Sequence, residues 1–266
     1  MVQLIEQLVP PPPKPASTRK HPNLILHCGA NLAERRAVEK VNTPRSTETW
    51  NPIPHIQLIT QVERAIKSNH LSVGTFVHSL SHEGQRYFGL MEINNPENAE
   101  DYCLVLGLRN SHDKSFPAGI VAGASCFVCD NLSFSGEIKL ARKHTRFIVR
   151  DLPSLVQQGI GRLMDKWHDQ STRFTAYKHR AIDDTQAHDI IIRATDVGVC
   201  SNRLIPAVLH EWREPSHDEF KPRTVWSLFN GFTQTLKEGS LADLPKRTEA
   251  LHGLLDSHVG LVFGRN

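Results

Sequence analysis

The pattern of hydrophobic and polar positions changes in character near the middle of the chain. In the first part, short apolar runs bounded by turn residues predict strands. They cover Val73–Leu80, Arg86–Ile93, Tyr102–Leu108 and Ile120–Cys129, with shorter runs at Glu137–Leu140 and Arg146–Val149. After Asp151, apolar residues recur every three or four positions, which predicts helices. These helical patterns cover 152–167, 184–198, 201–211, 222–237 and 246–256.

Two local signals complete the prediction of the fold. Apolar residues spaced three and four apart, from Ile53 to Ile66, predict a helix over 54–69 with prolines at its start. Residues 82–85 (HEGQ) separate the first two strands and predict a hairpin turn. Because strands are grouped before helices, the sequence predicts an α+β fold: an antiparallel β-meander with flanking helices and a helical C-terminal half.

The domain boundaries follow from where this pattern begins and ends. Residues 1–50 contain four consecutive prolines, Pro10–Pro13, and a polar stretch at 43–50, so we expect a flexible N-terminal arm. Residues 51–256 form one α+β domain in this interpretation, and residues 257–266 form a tail.

Composition narrows the class of protein. The 266 residues are 39% hydrophobic, and the formal net charge of +3 is too small to indicate nucleic-acid binding by itself. Five cysteines at irregular positions favour reduced thiols over disulfides. No apolar run approaches the ~20 residues of a membrane helix, and no secretory signal is evident. We therefore expect a cytoplasmic protein with no membrane partner.

Three polar clusters follow or flank predicted strands, where side chains are held rigidly and remain open to solvent. The first is RNSHD at 109–113, the second is CDN at 129–131, and the third is RKHT at 142–145. His112, Asp113, Asp130 and His144 are residue types that bind Zn²⁺ or Mn²⁺, so a metal-dependent hydrolase or nuclease is one hypothesis. The alternative is that these residues cap turns and form ion pairs, with no cofactor bound.

The third cluster lies within a basic segment, KLARKHTRFIVR at 139–150, which contains five basic residues and no acid. Such a segment favours contact with phosphates, and we expect these contacts from Arg109, Lys139, Arg142, Lys143 and Arg146, with Lys114 extending the same surface. The polar residues expected to shape the same surface are Asn110, His112, Asn131 and His144. Phe147, within this segment, is expected in the core.

The clusters together resemble a known family. The resemblance is carried by LRNSHD, FVCDNLSFSGE and RKHT, together with PIPH at 52–55, the hairpin through Gly84, and TVWSLFNGFTQTLK at 224–237. The chain resembles the DUF932 family over about residues 50–255. The resemblance implies a protein of bacteriophages, plasmids or integrated elements, without implying a reaction. The order of helix, meander and helix is also compatible with a Rad52-like single-strand annealing core, which makes a homo-oligomer worth testing.

The leading hypothesis is therefore a mobile-element protein that binds nucleic acid, with single-stranded DNA favoured, in support of recombination or replication. Catalytic turnover is not expected. The alternatives are the metal-dependent enzyme and an interaction protein that binds a host factor.

Overall fold

Six antiparallel strands form one sheet in a computed structural model that describes residues 30–94, 102–126, 132–237 and 243–262. The strands are β1 (Asn31–Ala33), β2 (Ser72–Ser81), β3 (Arg86–Asn94), β4 (Tyr102–Ser111), β5 (Ala118–Cys126) and β6 (Leu132–Arg142). Their order in the sheet follows their order in the chain, and neighbouring strands are antiparallel throughout. The predicted β-meander is confirmed.

Several chain segments meet at one end of this sheet, which we call the hairpin end. The predicted turn at 82–85 joins β2 to β3 there. Arg86 at the start of β3 pairs with Ser111 at the end of β4, and Ala118 at the start of β5 pairs with Arg142 at the end of β6. The β4–β5 turn and the segment after β6 therefore lie at the same end as the first hairpin.

Eight α-helices accompany the sheet in the described part of the chain. They are α1 (Arg35–Glu39), α2 (His55–Ser68), α3 (Ile148–Gly161), α4 (Leu163–His179), α5 (Asp184–Asp196), α6 (Ile205–Arg213), α7 (Val225–Leu236) and α8 (Leu244–Val259). Two short 3₁₀ turns, Asn202–Leu204 and Asp218–Phe220, precede α6 and α7. The α+β class and the helical C-terminal half are confirmed. No described helix combines the length and apolar content needed to cross a membrane.

Helices α2 and α3 begin at the hairpin end and run side by side in the same direction. Before their first turns, the backbone nitrogen of Asn51 donates to the carbonyl oxygen of His144 (2.9 Å). At the end of α2, Ser68 Oγ donates to Oε1 of Gln157 in α3 (3.1 Å). Both helix N-termini, with their partial positive charge, therefore face the same end of the molecule.

The core is one continuous cluster between the sheet and the helices. Helix α2 contacts β2 and β4, whereas α3 and α8 contact β6. In the helical half, α7 is buried along almost its whole length. A buried ion pair joins α4 to α8, because Arg173 Nε lies 2.9 and 3.0 Å from the two carboxylate oxygens of Asp256.

Two predictions about element boundaries are wrong. Residues 146–149 do not continue the sheet: a turn at Thr145–Ile148 precedes α3, because Ile148, Leu152 and Val156 share one buried helical face. The arm does not extend to residue 50, because β1 pairs with β2 and Val38 of α1 is 1% exposed. Residues 1–29 lie outside the described part. At the other end of the chain, α8 continues to Val259, beyond the predicted domain boundary at 256.

Candidate functional site

Two of the three predicted polar clusters meet the start of α2 at the hairpin end. Asn110 donates from Nδ2 to the backbone oxygen of Ile53 (3.0 Å) and to Nδ1 of His55 (2.9 Å). His112 donates from Nε2 to the same Ile53 oxygen (2.9 Å). The side chains of Asn110, His55 and His112 are all buried. Part of the first cluster therefore holds the beginning of α2 against the sheet.

The rings of His55 and His112 stack face to face, with centroids 3.9 Å apart and planes 6° apart. His55 donates from Nε2 to the carbonyl oxygen of Gly84 (2.9 Å), so its Nδ1 is the acceptor for Asn110 in the neutral ring. Burial, and secondly the proximity of His112, lower the pKa of His55 to about 4. Burial also lowers the pKa of His112. This pair is therefore neutral at pH 7.

His144 brings the third cluster to the same place. Its ring is 5% exposed and packs edge-on against Trp50, with ring centroids 6.4 Å apart. Burial, followed by the proximity of His112, lowers the pKa of His144. Since its side chain is buried and its carbonyl oxygen accepts from Asn51, the loop after β6 is anchored at its centre.

Buried polar atoms are concentrated in this cluster. Ten buried side-chain nitrogen or oxygen atoms have no hydrogen-bond partner among the described residues, and six of them lie here. These six belong to Asn110, His112, Arg142, Thr145 and, through both ring nitrogens, His144. Groups of this kind are costly in a folded protein, so they mark a place where packing alone does not explain the choice of residues.

The metal hypothesis gains no support from this geometry. Asp113 accepts from Arg86 Nε (2.6 Å) and from the backbone nitrogen of Ser115 (3.0 Å). Although burial opposes the shift, the hydrogen bonds from Ser115 and Arg86 lower the pKa of Asp113 to about 2. Within the described ranges, no three His, Cys, Asp or Glu side chains form a group that could hold a metal ion.

The second polar cluster lies outside the described residues, so the predictions for Asp130 and Asn131 stay predictions. The strands that flank it are described. Ser125 pairs with Leu132 at the end of the sheet opposite to Arg142.

Exposed cations and two aromatic rings lie at the same end of the sheet as the buried histidines. Phe147 is 39% exposed, and the guanidinium carbons of Arg146 and Arg150 lie 4.5 and 4.4 Å from its ring centroid. Lys114 Nζ lies 4.9 Å from the ring centroid of Trp50. With the exposed side chain of Lys143, these residues form what we call the basic–aromatic patch: Trp50, Lys114, Lys143, Arg146, Phe147 and Arg150.

The five residues predicted to contact phosphates have different environments. Lys143 and Arg146 are exposed. Arg142 forms an ion pair with Asp151, and Arg109 is partly buried against Phe116, where burial lowers its pKa. The side chain of Lys139 lies outside the described residues.

The expectation that Phe147 lies in the core is wrong. The adjacent Ile148 fills the buried position at the start of α3, and Phe147 remains at the surface beside two arginines.

Sequence reasoning missed His55 and Trp50 as parts of the site, and it named Lys114 only as an extension of the basic surface. His55 is the last residue of the PIPH segment, and the resemblance of this segment to the DUF932 family is the one feature of the sequence that points to His55. Trp50 lies in a polar stretch, and Lys114 lies in a turn. Neither position has a pattern that indicates which distant residue it contacts.

The fold and the site define an α+β protein with a six-stranded antiparallel meander, whose hairpin end carries buried histidines beneath a basic surface. The chain belongs to the family described as a domain of unknown function (DUF932), whose model matches residues 45–254. Comparisons with curated proteins and with solved structures gave no match. The resemblance seen in the sequence is confirmed, while the Rad52-like core stays a prediction.

Proposed function

We propose that this protein binds single-stranded nucleic acid through the basic–aromatic patch, as a binding protein without catalytic turnover. The observation that carries the proposal is the exposed ring of Phe147, with the guanidinium groups of Arg146 and Arg150 next to it. Aromatic rings and arginine planes stack on unpaired bases, and the adjacent cations attract phosphates.

The charge balance of the patch supports binding of an anion. Lys114, Lys143 and Arg146 have no carboxylate partner among the described residues. Two of the nearby acids are already engaged: Asp113 pairs with Arg86, and Asp151 pairs with Arg142 and Arg150. The N-termini of α2 and α3 add partial positive charge at the same end.

The buried cluster has a positioning role in this proposal. Asn110, His55 and His112 hold the start of α2, and His144 anchors the loop that carries Lys143 and Arg146. A rigid support of this kind keeps the exposed groups in place before a ligand arrives, which reduces the entropy lost on binding.

The mobile-element context implied by the family resemblance makes single-stranded DNA the favoured ligand, in support of recombination or replication. A homo-oligomer remains part of this proposal. The metal-dependent enzyme and the host-factor partner stay predictions, since no feature of the described residues favours either one.

The test is charge reversal within the patch. Fluorescence anisotropy with a labelled single-stranded oligonucleotide would compare the wild-type protein with Lys143→Glu/Arg146→Glu. The matched control is Arg203→Glu/Lys246→Glu, which makes the same change in net charge at exposed positions in the helical half. We expect the patch variant to lose at least about tenfold in affinity, because two phosphate contacts are replaced by repulsion. Equal losses in both variants would contradict the proposal.

A further inference from the structure

A groove lies between α2 and α3, beside the basic–aromatic patch, and Ala65 and Pro153 give its lining an apolar part. Its volume is about 580 Å³, and both helices contribute side chains that can hydrogen-bond. These are Gln61, Arg64 and Ser68 from α2, with Ser154, Gln157 and Gln158 from α3. The described lining includes one arginine and no carboxylate, so the groove is suited to a neutral or anionic ligand with both apolar faces and hydrogen-bonding edges.

Most of these side chains are available to a ligand. Gln61, Arg64, Ser154 and Gln158 make no side-chain hydrogen bond or ion pair with another described residue. Ser68 and Gln157 are the exceptions, because Ser68 Oγ donates to the Ala65 carbonyl oxygen and to Oε1 of Gln157, whose Nε2 has no partner among the described residues. Glutamine amides both donate and accept, so they match the mixed donor and acceptor edges of nucleobases.

The groove continues directly from the patch along α3. Arg150 stacks on Phe147, and Ser154 and Gln157 follow Arg150 at spacings of four and three residues, which places all three on one helix face. From Arg150 to Gln157 the helix rises about 10 Å. This distance corresponds to about three stacked bases at ~3.4 Å each.

We infer that the groove between α2 and α3 receives the unpaired bases of the strand whose phosphates contact the patch. This inference rests on the proposed function and adds to it: the ligand is recognised through its bases as well as its backbone, so duplex DNA, whose bases are paired, is a poor ligand. Gln61, Gln157 and Gln158 contact base edges, and Arg64 contacts the backbone or stacks on a base.

The test compares two labelled oligonucleotides of equal length, one of deoxythymidine and one with an abasic backbone. The wild-type protein is expected to bind the base-containing strand at least about tenfold more tightly, since base contacts to a protein are worth ~1–3 kcal/mol each. Gln61→Ala/Gln157→Ala/Gln158→Ala should lose most of this preference and keep the salt dependence of the wild type. The matched control, Asn202→Ala/His210→Ala, alters exposed polar residues elsewhere and should keep both.

A second measurement needs no variant. Photocrosslinking of wild-type protein to an oligonucleotide that contains 5-iodouracil should label peptides from α2 or α3. Crosslinks confined to other elements would overturn the inference. If Gln61→Ala/Gln157→Ala/Gln158→Ala keeps the full wild-type preference for the base-containing strand, the inference is also overturned, while the binding by the patch stays intact. Failure to bind either oligonucleotide at low salt would overturn the proposed function as well.

Discussion

The buried histidine pair makes the stability of the fold depend on pH in a way that can be calculated. In the unfolded chain His55 titrates near 6.5, whereas in the folded protein burial lowers its pKa to about 4. As pH falls from 6.5 towards 4, the unfolded state takes up a proton that the folded state refuses, so stability is lost. At pH 5 this loss is about 2 kcal/mol for His55 alone, relative to pH 8.

The perturbation that isolates this effect is His55→Gln. The variant loses contacts with Gly84 and Asn110, so it is less stable than wild type at pH 8. Its further loss between pH 8 and pH 5 should be smaller than that of wild type by about 2 kcal/mol, because the titrating ring is gone.

The assay is urea unfolding followed by tryptophan fluorescence at each pH, since the chain has four tryptophans. The control is His210→Gln, at an exposed position on α6. This variant should follow the wild-type pH profile. If the free energies of unfolding of wild type and His55→Gln decrease in parallel from pH 8 to pH 5, then His55 is not held neutral and the description of the buried cluster is wrong.

Two further predictions concern the buried support and the exposed ring. Asn110→Ala should lower the free energy of unfolding by about 2–4 kcal/mol, because it leaves Nδ1 of His55 buried without its donor. Thermal unfolding measures this change, and a decrease below about 0.5 kcal/mol would contradict the role given to Asn110. Phe147→Ala should weaken oligonucleotide binding about fivefold or more, with an unchanged dependence of affinity on salt, whereas Phe147→Trp should keep the affinity. Equal losses of affinity in both variants would show that the ring does not stack on bases.

Much of the fold could be predicted because its signals are local. The hairpin at 82–85, the helix that begins at His55 and the strand order each depend on neighbouring residues, and all three are confirmed. The pairing of β1 with β2 has no such signal, because three residues carry too little pattern to identify a strand.

The site could be predicted only in part, for the same physical reason. Its residues could be named from their polar types, but their arrangement depends on contacts between distant segments: Asn110 bonds to Ile53, and His144 packs on Trp50. Whether a basic side chain is available to a ligand also depends on its neighbours. Arg142 is engaged by Asp151, and Arg146 is exposed, although both occur in the same basic segment.

The most direct test of the account is the affinity of the wild-type protein for a labelled single-stranded oligonucleotide across a salt series. We expect the logarithm of the association constant to fall as the logarithm of the salt concentration rises. The reason is that the patch has four cations for phosphate contacts: Lys114, Lys143 and Arg146, which have no carboxylate partner among the described residues, and Arg150. The expected slope is about −2 to −3, at ~0.7 for each phosphate contact on a single strand. Absence of binding at low salt, or binding that is insensitive to salt, would contradict the central claim.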